Sequence, residues 1–241
     1  MGGHKIFVSY KFNDSSVYQK INHKLFEGRE EGDIIVRDYV NVLQEYFEGH
    51  SEHIYKGEDD NTPLGDKSED WIWSELKDSI FDSTLTIVLI SPNMKENGRD
   101  RDQWIPWEIS YSLSNETRKD SNGKPVRSNT NAMLAIVLPD RSGKYDYYFE
   151  NKNCCTSGCR LNKTNILFNI LKKNTFNQKD RYVEKRICDD KSNIYNGMYH
   201  SFIHFYKWCE IDSKEKIEEA IRLAYDILSK KEQYDISYEI D

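Results

Sequence analysis

The chain has 241 residues, of which 37% are hydrophobic and 13% aromatic, and its mean hydropathy is −0.82. This length suits one large domain, or one domain with an insertion, and supplies enough apolar residues for a core. The formal net charge of −7 argues against a surface that binds nucleic acid or anionic membranes throughout.

The first half of the chain alternates strand and helix patterns. Residues 4–10, HKIFVSY, predict a β-strand that ends in a polar turn, after which Asp14 or Ser15 is expected to cap a helix. Residues 33–47 have apolar side chains at helical spacing, and residues 51–56 suit a short strand. Residues 57–70 form a polar segment with Gly, Pro and Asp, which is typical of a loop.

The second half repeats this alternation. Helical spacing returns at 72–80, and the near-continuous apolar run 83–91 predicts a strand buried on both faces. Pro106 suits the first turn of the next helix, and residues 131–139 predict another buried strand. After a segment without clear periodicity, 201–211 predicts a last strand. The segment 212–231 predicts an amphipathic helix with Asp212 and Glu215 as a capping box.

This order of elements predicts an α/β fold, a flavodoxin-like doubly wound sheet of about five parallel strands with flanking helices. Ligands of such sheets bind beyond the carboxyl ends of the strands. The loops after 4–10, 51–56 and 83–91 are therefore candidates, and the third leads into RDQWIPWEISYS at 101–112.

The cysteine pattern and the lack of a visible signal-peptide pattern predict a cytoplasmic protein with reduced thiols. The sequence opens without a signal-peptide pattern, and no run approaches the roughly 20 apolar residues of a membrane-spanning helix. The odd cysteine count favours reduced thiols. A metal site remains a less favoured alternative, because CCTSGC lacks paired CxxC spacing. Its ligands would be Cys154, Cys155 and Cys159 with Cys188 or His200.

No phosphate-binding, dinucleotide-binding, HExxH, GxSxG or kinase signature is present. What remains is Trp104 and Glu108, four residues apart near a predicted helix start, where the helix dipole favours an ionised carboxylate. A carboxylate beside an aromatic wall can stabilise a developing oxocarbenium ion and orient sugar hydroxyls. The alternative is that Trp104 and Trp107 are core residues and Glu108 is a solvated acid.

Taken in order, HKIFVSYKFND, GEDDNTPLGD, TLTIVLISP and DQWIPWEIS resemble the TIR family over roughly residues 4–139. They look most like the bacterial branch that includes the NAD-processing sensors of Thoeris anti-phage systems. The resemblance implies one TIR-like domain over 1–241 that cleaves NAD as an NAD⁺ glycohydrolase or ADP-ribosyl cyclase. It favours a cyclic ADP-ribose-type signal that activates a separate effector. NAD would be the substrate, with no cofactor and no metal.

Carried over residue by residue, the resemblance makes Glu108 the catalytic candidate and Trp104 its aromatic neighbour. Ser9, Tyr10 and Lys11 after the first strand and Ser91 after the third would line the pocket. The 57–67 loop would gate the pocket and mediate self-association.

Two segments, at about 28–50 and 140–200, depart from a minimal TIR domain and are expected as insertions, and Pro106 between Trp104 and Glu108 is unusual. A non-enzymatic TIR assembly module is the main alternative. A receiver-like phospho-acceptor is weaker, since Asp14 is the one acid just after the first strand. Residues 152–191 carry ten Lys or Arg against four Asp or Glu, which leaves nucleic-acid binding as a less favoured option.

Overall fold

The computed structural model of the protein describes residues 4–20, 34–48, 53–55, 69–119, 122, 124–152, 159–180, 183–184, 194–195, 198–211 and 213–241. The predicted gating and self-association loop at 57–67 lies outside these residues. So do Cys154, Cys155, Cys188 and Asp212.

The strands in the described part of the chain are β1 His4–Ser9, β2 His53–Tyr55, β3 Leu85–Ile90, β4 Thr117–Lys119, β5 Pro125–Arg127, β6 Ala132–Val137, β7 Phe149–Lys152, β8 Cys159–Asn162, β9 Val183–Glu184, β10 Ile194–Tyr195 and β11 His204–Lys207. The helices are α1 Val36–Glu48, α2 Glu69–Phe81, α3 Trp104–Leu113, α4 Asn169–Lys173 and α5 Lys214–Ser229. Short 3₁₀ turns lie at Asp100–Asp102, Thr164–Ile166, Trp208–Glu210 and Lys231–Gln233.

The main sheet has the strand order β2-β1-β3-β6-β11, with every neighbouring pair parallel. Numbered along the chain, this is the order 2-1-3-4-5 of flavodoxin-like sheets. The prediction of an α/β fold around a parallel sheet with flanking helices is confirmed. Three antiparallel pairs, β4 with β5, β7 with β8 and β9 with β10, lie outside this sheet.

Helices cover both faces of the sheet, which explains the near-continuous apolar runs of the central strands. Alternate residues of a strand point to opposite faces. Ile6, Val8 and Ile87 therefore join α1 and α5 in one core cluster, and Val88 and Ile90 join α3 in another. On the α3 side Phe7 packs with two residues of α2.

The helix predicted after Asp14 or Ser15 is wrong for the residues that the structure describes, because 14–20 have no helical turn. The Asp14 carboxylate instead accepts hydrogen bonds from the Ser16 and Asn93 amides at 2.9 and 3.1 Å and from the Ser91 hydroxyl at 2.6 Å. An Asx turn thus replaces a helix cap. The crossover from β1 to β2 contains α1, which lies within the segment 28–50 expected as an insertion and belongs to the core.

Described parts of the segment 140–200 also contribute to the core. Tyr148, at the turn before the β7–β8 hairpin, and Phe168, at the cap of α4, are fully buried beside the α3 side of the sheet. The final helix is as predicted except for its cap. The N-cap is Ser213, whose hydroxyl accepts the Lys216 amide at 3.4 Å.

Candidate functional site

A cleft of about 360 Å³ opens at the carboxyl ends of β1 and β3. Its walls come from residues 10–12 after β1, from the loop after β3, from the start of α3, and from Leu76 and Phe168. The volume is at the small end of the range, about 300–1,000 Å³, that small-molecule sites occupy. The cleft lies where the strand-end rule for parallel sheets predicts a ligand site.

Glu108 lies in the cleft wall with only 7% of its surface exposed. Its Oε2 accepts a hydrogen bond of 2.5 Å from the Ser9 hydroxyl, at the last residue of β1. Because a strand end and a buried helix face are both rigid supports, this bond holds the carboxylate in one orientation. The expectation of a solvated helix-start acid is wrong.

Trp104 and Trp107 are both 43% exposed, so neither is a core residue. Trp104 lies four residues before Glu108 on the same helix face and lines the cleft with it. Trp107 is not among the residues that line the cleft, and its indole N–H donates to the Arg101 carbonyl at 2.8 Å. Of the two tryptophans, Trp104 is therefore the one that lines the cleft.

Pro106 does not interrupt the helix between Trp104 and Glu108. The N-cap of α3 is Gln103, which makes Pro106 the third helical residue, within the first turn. An amide hydrogen at that position has no partner inside the helix, so a proline costs no hydrogen bond there. Glu108 is the fifth helical residue. Since the dipole effect falls off beyond the first turn, the carboxylate gains less from it than the sequence suggested.

Tyr10 and Lys11 line the cleft from the β1 side, as the resemblance implied. The Tyr10 hydroxyl accepts a hydrogen bond of 2.7 Å from the buried Arg37 guanidinium of α1. The Lys11 ammonium lies 2.9 Å from the Glu96 carboxylate and donates to the Asn93 carbonyl at 3.0 Å. Contacts to α1 and to the loop after β3 thus position both side chains.

Ser91 lies at the carboxyl end of β3 but is fully buried and outside the described lining of the cleft. Its hydroxyl donates to Asp14, which ties the segment after β1 to the loop after β3. Ser9 likewise contacts the cleft through its bond to Glu108 rather than by lining it. Both serines therefore hold residues or segments of the site in place through hydrogen bonds, without belonging to the described lining of the cleft.

The charges that line the described cleft are mainly negative. Glu96, Asp102 and Glu108 face one ammonium group, that of Lys11, and Glu96 already pairs with that lysine. Carboxylates and aromatic faces both attract cations, so the cleft suits a flat, positively charged ring better than an anion.

Two aromatic residues of the cleft, Phe12 and Phe168, were missed from the sequence. Phe12 is 44% exposed in the polar turn KFND, where a single large apolar residue was the available signal. Phe168 lies in NILFNIL, more than 50 residues after α3 in the chain, and no local pattern connects it with Glu108.

Among the described residues, no group of three or more His, Cys, Asp or Glu side chains could hold a metal ion. Of the suggested ligands, Cys159 begins β8 and His200 stacks on Phe176, with ring centroids 5.0 Å apart. Cys209 carries an exposed free thiol. No described helix combines the length and apolar character that a membrane span requires.

No protein-family model matches the sequence, and no solved structure matches the chain at a significant level.

Proposed function

We propose that this protein is an NAD-cleaving enzyme of the TIR type, with Glu108 as its catalytic residue. The single observation that carries the proposal is the buried carboxylate of Glu108 in a cleft that Trp104 also lines, held there by Ser9. A fixed carboxylate can stabilise the positive charge that develops on the ribose when a ribosyl–pyridinium bond breaks, and an aromatic side chain can stack on the pyridinium ring.

The lining of the cleft supports a nicotinamide ring as its occupant. Nicotinamide in NAD is a flat pyridinium cation, and the cleft offers indole, phenol and phenyl rings together with three carboxylates. We propose that the nicotinamide ribose end enters the cleft, and that the rest of the dinucleotide extends outward past Lys11.

The proposed reaction begins when the bond between the ribose anomeric carbon and the pyridinium nitrogen breaks. The bonding electron pair leaves with nicotinamide, which becomes neutral, and positive charge develops on the ribose. Glu108 stabilises that charge and orients the ribose hydroxyls. Attack by water gives ADP-ribose, whereas attack by a hydroxyl of the same molecule gives a cyclic isomer, and in each case the attacking oxygen loses a proton.

The wider assignment follows the resemblance of the first 139 residues. We propose a TIR variant of the flavodoxin-like fold with five parallel strands, acting in the cytoplasm in bacterial anti-phage defence. The cyclic or linear product would activate a separate effector. Self-association through the 57–67 loop would raise activity.

The experiment is a measurement of nicotinamide release and product mass from NAD, with the purified protein at high concentration. Infected-cell lysate is added in a parallel reaction. Glu108→Gln keeps the shape of the side chain and removes its charge, so we expect nicotinamide release to fall by roughly 100-fold or more. Glu219→Gln is the matched control, since Glu219 is an exposed carboxylate of α5, which packs on the other face of the sheet.

Equal loss of release in both variants would point to a general defect and contradict the role of Glu108. No release by the folded wild-type protein, with or without lysate, would reject the enzyme assignment and favour the assembly module.

A further inference from the structure

Two side chains of α3, one helical turn apart, each bond to a different strand of the sheet. Glu108 accepts from Ser9 of β1 at 2.5 Å, and the Ser112 hydroxyl accepts from Thr86 of β3 at 2.9 Å. In the parallel register Ser9 lies beside Val88, so Thr86 is two residues nearer the amino end of its strand.

The two bonds are spaced by nearly the same distance along the sheet as along α3. Two residues of a parallel strand span about 6.6 Å. Four residues of an α-helix span about 6 Å. The bonds therefore fit one axial position of α3 on the sheet, and a shift of the helix along its axis would break both.

A chain of buried hydrogen bonds continues behind Glu108. The Asn131 side-chain amide donates to Ser83 at 2.7 Å and to Thr86 at 3.0 Å, and Thr86 donates to Ser112. The Ser112 hydroxyl then donates to the carbonyl of Glu108 at 2.8 Å. All five residues are at most 7% exposed. Because each hydroxyl both accepts and donates, neighbouring bonds strengthen one another.

An apolar contact between a helix and a sheet tolerates sliding, whereas a buried polar bond is lost if its partner moves. The amide of Asn131 also donates to the Ser112 carbonyl at 2.8 Å, which attaches the end of α3 to the start of β6. The polar chain from Asn131 to Glu108 therefore restricts both the rotation and the axial position of α3.

We propose that Thr86 and Ser112 are positioning residues for Glu108, and that their hydrogen bonds hold its carboxylate at the carboxyl end of β1. The catalytic consequence rests on the proposed function, whereas the effect on α3 does not. Thr86 is fully buried, lies outside the described lining of the cleft and bonds to Ser112 of α3, so it acts through α3 rather than on a ligand.

The test uses the full chain with Thr86→Val, which keeps the shape of the strand residue and removes its hydroxyl. Ser112→Ala is the second variant, because alanine preserves the helix. Thr86→Ser restores a hydroxyl. Thr84→Val is the matched control, since the Thr84 hydroxyl lies 2.8 Å from that of Tyr225 in α5 rather than from a residue of α3.

Hydrogen exchange measures how firmly α3 is held, and kinetics with NAD measure how well Glu108 is placed. Hydrogen exchange of the amides of α3 is expected to quicken by about fivefold to tenfold in Thr86→Val and Ser112→Ala. It should remain at the wild-type rate in Thr84→Val and return towards it in Thr86→Ser. With NAD, kcat is expected to fall roughly tenfold in Thr86→Val while KM stays within about twofold, because a misplaced group loses rate more than binding.

Exchange in α3 that is equal in Thr86→Val, Ser112→Ala and Thr84→Val would overturn the inference, whether or not the wild-type protein cleaves NAD. An unchanged kcat in Thr86→Val, with wild-type turnover present, would overturn it as well. A wild-type protein that releases no nicotinamide rejects the proposed function alone, and the exchange rates then decide whether these residues position α3.

Discussion

Trp104 and Trp107 stand three residues apart on one helix with the same exposed fraction, and yet only Trp104 lines the cleft. The indole N–H of Trp107 bonds to the 3₁₀ turn that precedes α3, through the Arg101 carbonyl. The composition of the segment does not separate the two roles. The helical offset does, because a residue four positions before Glu108 shares its face of the helix.

This difference predicts the effect of removing each ring. Trp104→Ala is expected to raise KM for NAD about tenfold, because a stacking or cation–π contact contributes about 1–1.5 kcal/mol. Trp107→Ala is the matched control and should leave KM within about twofold. Steady-state kinetics with melting temperatures for both variants checks this. An equal rise of KM in the two would indicate a loosened α3 rather than a lost ring contact.

Within a single strand, β11 carries a half-buried histidine, His204, at the edge of the main sheet. Burial is the main cause that lowers the pKa of His204 from 6.5 to about 4, and His200 and Arg160 lower it further. The His204 Nδ1 is buried without a hydrogen-bond partner in the described structure. Protonation of the His204 imidazole would place a positive charge at this poorly solvated position and so destabilise the fold.

The sign of the pH dependence follows from linkage. Between pH 6.5 and about 4 the unfolded chain binds a proton at His204 that the folded chain does not. The contribution of His204 to the free energy of unfolding is therefore most favourable above pH 6.5. It falls by up to about 3 kcal/mol as the pH drops to about 4.

His204→Phe keeps a ring in β11 and should remove this part of the pH dependence. Denaturant unfolding of the wild-type and His204→Phe proteins at pH 7.5, 6, 5 and 4 measures this pH dependence. The difference between their free energies of unfolding at pH 7.5 gives the effect of the substitution on packing, which is subtracted at the other pH values. A constant difference between the two proteins from pH 7.5 to 4 would contradict the assignment.

At the scale of the whole molecule, the last residues of the chain connect distant elements. The fully buried Asn174 side chain makes two hydrogen bonds to the backbone of Ser237. Its Nδ2 donates to the Ser237 carbonyl at 2.8 Å, and its Oδ1 accepts from the Ser237 amide at 3.1 Å. The Tyr238 carbonyl accepts from the Ser110 hydroxyl of α3 at 2.6 Å. The terminal segment therefore joins α3, which carries Glu108, to the region of α4.

Removal of residues 237–241 should lower the free energy of unfolding by about 1–3 kcal/mol, because it deletes two of the hydrogen bonds of the buried Asn174 side chain and the bond from Ser110 to Tyr238. Removal of 240–241 alone is the matched control. It deletes the exposed ion pair of Asp241 with Lys173, which contributes at most about 1 kcal/mol. Denaturant unfolding of the two truncated proteins compares them, and equal losses would show that Asn174 does not depend on Ser237.

Much of the fold could be predicted from local pattern. The apolar runs at 83–91 and 131–139 contain β3 and β6, and helical spacing located α1, α3 and α5 to within a few residues. The prediction of a helix capped by Asp14 or Ser15 is wrong for the described residues, and the Asp14 carboxylate shows why. This carboxylate bonds to residues more than 70 positions later, and a local pattern contains no information about such partners.

The alternation of strands and helices follows from local pattern alone, because apolar periodicity reflects which faces of each element are buried. Local pattern also indicates that Trp104 and Glu108 share one face of a helix. Three other features depend on three-dimensional packing: Ser9 bonds to Glu108, Phe12 and Phe168 line the cleft, and Ser91 is buried outside its described lining. These contacts depend on how parallel strands are aligned and how α3 lies on them. Alignment between strands is set by packing across the whole sheet rather than by any one segment.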